Sequence, residues 1–214
     1  MDALIRLSDF ELIGGSAMID TSKSFEVLKK VLGSESNFHV ETSEQINKAI
    51  DHIFQLISDA YILYIHNSYS SSVFLSIAVI EEVAKLYVGM YVSSSTEYKK
   101  KDKLRDHKTK EIIGANYTVS MSERIKDALG IDKLEKIYDI TYSGGLKELR
   151  EKAIYYECEG DKLITPADII DKQFSRNILL FAIESFDDNL AGYTDHSIDI
   201  LKKTVVIFDN VAKS

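Results

Sequence analysis

A single proline, Pro166, in 214 residues is the feature that most limits what this chain can fold into. Proline is the main breaker of helices and a common punctuation of loops. Its near absence leaves helices unopposed along almost the whole length. Hydrophobic residues make up 45% of the chain, which supports a packed core and argues against disorder. A chain of this length can bury that core as one domain. The expected fold class is all-α.

The apolar pattern agrees. After Thr42, residues Ile46, Ala49, Ile50, Ile53, Phe54, Ile57, Ala60, Tyr61 and Tyr64 fall on one stripe of a 3.6-residue helix. Thr42 and Gln45 have the spacing of a capping box. The stretch HNSYSSS, 66–72, turns the chain into a second helix, about Ser71 to Val92. That helix is apolar on nearly every face and so belongs in the centre. Two long helices joined by a short turn predict an antiparallel hairpin.

Residues 93–110 read as a polar, basic loop leading into a helix. Ser122–Leu129 and Lys133–Ile140 are shorter helical segments, Ser143-Gly144-Gly145 is a break, and Leu146 to Tyr156 resumes helical spacing. Thr165-Pro166-Ala167-Asp168 supplies a cap, a proline at the first helical position and an acid three residues after the cap. The helix it starts is expected to reach about Leu190, with Gly192 as a stop and a last helix over about Asp195 to Ala212. Residues 1–41 are the least readable. They carry a turn at Gly14-Gly15 and a helical pattern in SFEVLKKVLG that stops at Gly33. The predicted organisation is an N-terminal extension, 1–41, packed on a helical domain, 42–214.

Several classes are disfavoured. No apolar run near the start suits a signal peptide, and Glu81, Glu82 and Lys85 interrupt the most hydrophobic segment, so no membrane span is expected. The lone Cys158 cannot pair within the chain, which fits a reducing cytoplasm. His39, His52, His66, His107 and His196 are dispersed without metal-ligand spacing, and no phosphate-cradling glycine loop occurs. Neither a metal nor a cofactor is expected. The net charge of −8 disfavours broad nucleic-acid binding, yet residues 99–110 carry six lysines and one arginine against two aspartates.

Three clusters could carry chemistry. Glu81 and Glu82 each stand within one helical turn of Lys85, and charges on so apolar a helix need partners or a wet cleft. Asp106-His107-Lys108-Thr109-Lys110 joins a side chain that titrates near neutral pH to fixed positive charge, a combination suited to proton transfer beside a phosphate. In Leu149-Arg150-Glu151-Lys152, Arg150 could grip a carboxylate or phosphate in two-pronged fashion. Each cluster read alone is equally an ordinary surface ion pair or solvated turn.

In this order and spacing the clusters resemble the AbiV-type HEPN family, helical bundles linked to abortive phage infection. The matching pieces are SIAVIEEVAK at 76–85, His107 to Lys110, the Leu-Arg-Glu-Lys segment running into tyrosine at 149–156, and the preceding hairpin with Asp59-Ala60. The resemblance covers roughly residues 42–190. It implies an antiparallel HEPN-like bundle with additional N- and C-terminal helices. It also implies action on RNA or the translation apparatus, or an inactive state held until a phage protein meets it. The wider superfamily's motif, Arg then His after four to six residues, is absent: Arg105 and His107 are too close, and Arg150 and Arg176 have no histidine within reach.

Two readings follow. In the first the protein is a metal-independent ribonuclease. His107 would exchange a proton with a ribose 2′-hydroxyl, Lys110 and Arg150 would stabilise the developing phosphorane charge, and Glu82 with Lys85 would hold the site in position. Lys99, Lys100, Lys101, Lys103, Arg105 and Lys108 would contact RNA. In the second it is a non-catalytic HEPN-like module that binds a protein or nucleotide partner. A plain scaffold bundle leaves the three clusters unexplained. A homodimer is also expected, because the second helix and the helix from Pro166 present broader apolar arcs than one small bundle needs.

Overall fold

The computed structural model describes residues 22–32, 34–95, 102–116, 119 and 121–214. The turn expected at Gly14-Gly15, the stop at Gly33 and the lysines Lys99, Lys100 and Lys101 lie outside the described residues.

Helices dominate. The chain runs through α1 (Ser22–Leu32), α2 (Ser43–Ile65), α3 (Tyr69–Gly89), a 3₁₀ turn (Lys103–Arg105), α4 (His107–Gly114), α5 (Glu123–Leu129), α6 (Ile131–Ser143), α7 (Gly145–Lys152), α8 (Pro166–Ile169), α9 (Lys172–Leu190) and α10 (Asp195–Ala212). Two minimal sheets complete it: β1 (Glu35–Ser36) parallel to β2 (Ser93–Ser94), and the hairpin of β3 (Glu157–Glu159) with β4 (Lys162–Ile164). This is an all-α helical bundle.

Thr42 starts α2 as its spacing predicts. Its hydroxyl accepts from the Gln45 amide at 3.2 Å, and the Gln45 side chain accepts from the Thr42 amide at 3.1 Å. The α2–α3 hairpin turns through Asn67, whose φ of 63° is one that asparagine tolerates better than most residues. α3 lies at the centre, packed against α2, α4 and α9. No described helix is long and apolar enough to cross a membrane.

Two expected helices end differently. The Thr165–Asp168 capping box forms, but α8 lasts only Pro166–Ile169. Ile170 leaves helical geometry with its side chain buried, and the Asp171 carboxylate accepts from the Phe174 amide at 2.7 Å to start α9 afresh. The helix read from Leu146 to Tyr156 stops at Lys152, and the chain then forms the β3–β4 hairpin around Gly160, φ 63°.

The apolar arcs of α3 and α9 are largely consumed inside one chain. Val73, Ile77, Ile80 and Val83 of α3 are fully buried with Ile178, Phe181 and Phe186 of α9 in one core. Those buried residues are not available to a second copy. α1 closes a smaller core in which Val31 meets Ala84, Val88, Leu104 and Ile113.

The end of α4 is wedged between α3 and α9. Ser185 donates to the Gly114 carbonyl at 2.6 Å, and a Cβ at position 114 would overlap the Ile80 carbonyl oxygen. Alanine normally favours a helix over glycine by about 1 kcal/mol, but here a backbone group of the central helix would have to move. Gly114→Ala is expected to destabilise the fold by about 1–3 kcal/mol, read by thermal or urea unfolding.

Candidate functional site

Asp106 fixes where α4 begins. Its carboxylate accepts from the Thr109 amide at 2.8 Å and from the Thr109 hydroxyl at 2.7 Å. This cap makes His107 the first helical residue. Lys110 follows three positions later, on the same side of the helix.

Both reach one carboxylate on α3. His107 Nδ1 lies 2.8 Å and 3.0 Å from the two Glu81 oxygens. Lys110 Nζ lies 2.5 Å from Glu81 Oε2, and Arg150 of α7 places Nη1 3.2 Å from Oε1. Arg150 also runs alongside the imidazole, with Nη1 3.2 Å from Nδ1 and Nη2 3.4 Å from Nε2. Three helices thus converge on Glu81.

Side-chain exposure grades from base to rim: Glu81 5%, Lys110 8%, Arg150 22%, His107 35%. The charged floor is sealed from water while the imidazole edge is open. Because an ionised Glu81 accepts only, a neutral His107 carries its proton on Nδ1, and its Nε2 lone pair faces the Arg150 Nη2 donor at 3.4 Å. A histidine oriented this way by a buried carboxylate can take or give a proton at Nε2.

Behind this group sits Glu111, which is fully buried. Neither of its carboxylate oxygens reaches full hydrogen-bond geometry, although the Lys147 amide approaches. Burial first, and the charge of Glu81 second, push its carboxyl up to about 7, while Arg150 and Lys110 pull the other way. The site therefore holds two carboxylates of different character, one paired with cations and one nearly alone.

The residues expected from sequence divide. His107, Lys110 and Arg150 come together. Glu82 and Lys85 bind each other instead, at 2.7 Å and 2.8 Å, and Lys85 lies 4.9 Å above the Phe38 ring. The carboxylate that holds the cluster is Glu81, one residue earlier. Lys103 donates to the Lys30 carbonyl at the end of α1, Lys108 donates to the Ser143 carbonyl at the end of α6, and Arg105 stacks 5.3 Å from the Phe38 ring. Lys103 and Lys108 thus tie helix C-termini, where positive charge is favoured.

Glu111 and the role of Glu81 escaped the sequence reading. A signal for Glu81 did exist. It shares a helical stripe with Ile77, Ala84 and Val88, all buried, so a charge at that position demands partners from elsewhere.

A family model described as AbiV, of the HEPN group, matches residues 41–186, about two thirds of the chain and all of the site. No curated protein and no solved structure matches it.

Proposed function

The chain belongs to the AbiV family of HEPN proteins, whose role is phage defence of the abortive-infection type, and from that premise we propose that it acts on RNA as a metal-independent ribonuclease. One observation supports this reading. Arg150 and His107, 43 residues apart in sequence and in reversed order, meet at 3.2–3.4 Å on a shared buried carboxylate. The Arg–His pair missing from the linear motif is rebuilt in space.

In this mechanism His107 Nε2 takes the proton of a ribose 2′-hydroxyl as that oxygen attacks the adjacent phosphorus. The bond to the 5′-oxygen breaks and that oxygen takes a proton from water, leaving a 2′,3′-cyclic phosphate and a 5′-hydroxyl, while His107 returns the proton it took to the resulting hydroxide. Arg150 and Lys110 carry fixed positive charge beside the position where the phosphorane gains negative charge. Glu81 keeps the imidazole turned and its Nδ1 protonated, the part first expected of Glu82 and Lys85.

The test is cleavage of single-stranded RNA by purified protein in chelator, beside His107→Ala shown to be folded by circular dichroism. Activity that depends on His107 and yields cyclic phosphate ends is expected. No cleavage by the wild type, or equal cleavage by both, overturns the ribonuclease reading. A second reading then stands, a non-catalytic module bound to a partner. It is favoured by the fact that both cations already have a carboxylate in Glu81. Growth arrest on expression without phage favours an active enzyme, and arrest only during infection favours a sensor of the phage.

The basic run is expected to add electrostatic affinity for RNA or ribosomes. Replacing Lys99, Lys100 and Lys101 together with glutamate should weaken RNA binding, most strongly at low salt, where the phosphate field is least screened. Filter binding across a salt series measures it. Unchanged binding would remove the run from the RNA interface.

A further inference from the structure

A cavity of about 320 Å³ shares no lining residue with the Glu81 cluster and is lined by Tyr87, Asn116, Asp188, Asn189 and Tyr193 among others. Tyr87 comes from α3, Asn116 from the segment just after α4, Asp188 and Asn189 from the last turn of α9, and Tyr193 from the turn into α10. The volume lies in the range of small-molecule sites.

The polar groups around the cavity are spent unevenly. The Asn116 amide donates to Asn189 Oδ1 at 3.1 Å, and the Asn189 amide donates to the Ser185 carbonyl at 2.7 Å. Tyr138 holds the Asn116 carbonyl at 2.9 Å, so this floor is fixed. The Tyr91 and Tyr193 hydroxyls pair at 2.7 Å. Amide donors are thus engaged with neighbouring protein groups, while Asp188, at an exposed edge of the cavity, makes no hydrogen bond or ion pair among the described residues.

The charge of the site has one sign. Among the described residues, no lysine, arginine or histidine lines the cavity. Arg124, whose charge reaches Asp188, is bound by Glu184 at 2.5 Å and Asp187 at 2.7 Å, and it lies over the Phe208 ring. Partial burial first, and the charges of Glu184 and Asp187 second, push the Asp188 carboxyl up to about 7, while Arg124 pulls the other way. Tyr87 and Tyr193 are among the lining residues, and aromatic rings attract positive charge as the carboxylate does. An anion such as phosphate would meet the like charge of Asp188 with no cation of the described lining to offset it.

We propose that this cavity binds a small organic cation with an ammonium or guanidinium head, Asp188 acting as its counter-ion and Tyr87 and Tyr193 as its aromatic walls. The site is separate from the Glu81 cluster and does not depend on the ribonuclease reading. Its ligand would be a free amine of low molecular mass, since a fixed floor and a cavity of this size suit a compact head better than an extended chain.

Isothermal titration of the full chain with ethylammonium and with ethylguanidinium, near pH 8 so that Asp188 is ionised, tests it. Saturable one-site binding of at least one of the two is expected, and the better probe tells ammonium from guanidinium. Asp188→Asn, a substitution of equal shape at an exposed position, should weaken that binding by about tenfold or more. Tyr193→Ala should weaken it too, and Glu157→Gln on the β3–β4 hairpin should not. Absence of saturable binding overturns the proposal, and so does equal weakening by Asp188→Asn and Glu157→Gln, which would mark general attraction to an acidic protein.

Discussion

Glu81→Ala is expected to cost about 3–5 kcal/mol of folding stability, the range measured when one partner of a buried ion pair is removed. Glu81 is the one carboxylate shared by Lys110, Arg150 and His107, at 2.5, 3.2 and 2.8 Å. Removing it leaves Lys110, nearly sealed from water, beside the guanidinium of Arg150 with no acceptor between them. The loss is therefore larger than the worth of the bonds themselves, because the cations stay behind unpaired. For a chain of this size the melting temperature should fall by roughly 6–20 °C. Glu81→Gln keeps the shape and an acceptor for His107 Nδ1 and should cost less than the alanine. A loss under about 1 kcal/mol for Glu81→Ala would mean that another acid, with Glu111 nearest, takes over the cations.

The helical frame was legible because its signals are local. The capping box at Thr42–Gln45, the stripe of α2 and the limits Asp195–Ala212 of α10 depend on residues within a few positions of one another. The break between α8 and α9 was hidden because Thr165, Pro166 and Asp168 form a strong start signal, and only the burial of Ile170 shows why a second cap at Asp171 is needed. The hairpin at 157–164 followed an amphipathic stretch whose helical spacing ran past its true end at Lys152. In the site, the local pair Glu82–Lys85 was readable and forms. Glu81 finds its partners 26, 29 and 69 residues away, and no short-range spacing records such contacts. α3 is apolar all round, so its pattern does not say which of two adjacent glutamates faces inward. The convergence of His107, Lys110 and Arg150 was signalled by the resemblance to a family rather than by the spacing of those residues.

Glu111→Gln is expected to stabilise the protein at alkaline pH and to do little in acid. The Glu111 carboxyl sits at about 7 in the folded chain against an ordinary 4.5. Between those values the folded state binds the proton that the unfolded chain has released, so stability falls as pH rises through the window. Below about 4.5 both states hold the proton and nothing is lost, whereas above about 7 the full cost is present. That cost is on the order of 3 kcal/mol, since each pKa unit corresponds to about 1.4 kcal/mol. It arises because an ionised Glu111 is buried beside Glu81 of α3, with Arg150 of α7 and Lys110 of its own helix already engaged by Glu81. Glutamine reproduces the shape of the protonated acid and never ionises. Thermal unfolding at about pH 5.5 and pH 8 should show the variant gaining stability mainly at the higher value. The pH slope will not vanish entirely in the variant, because Asp187 and Asp188, raised to about 6 and about 7, tilt stability in the same direction. An equal gain at both pH values would mean that Glu111 is not the group whose ionisation strains the site, and that its effect is one of packing alone.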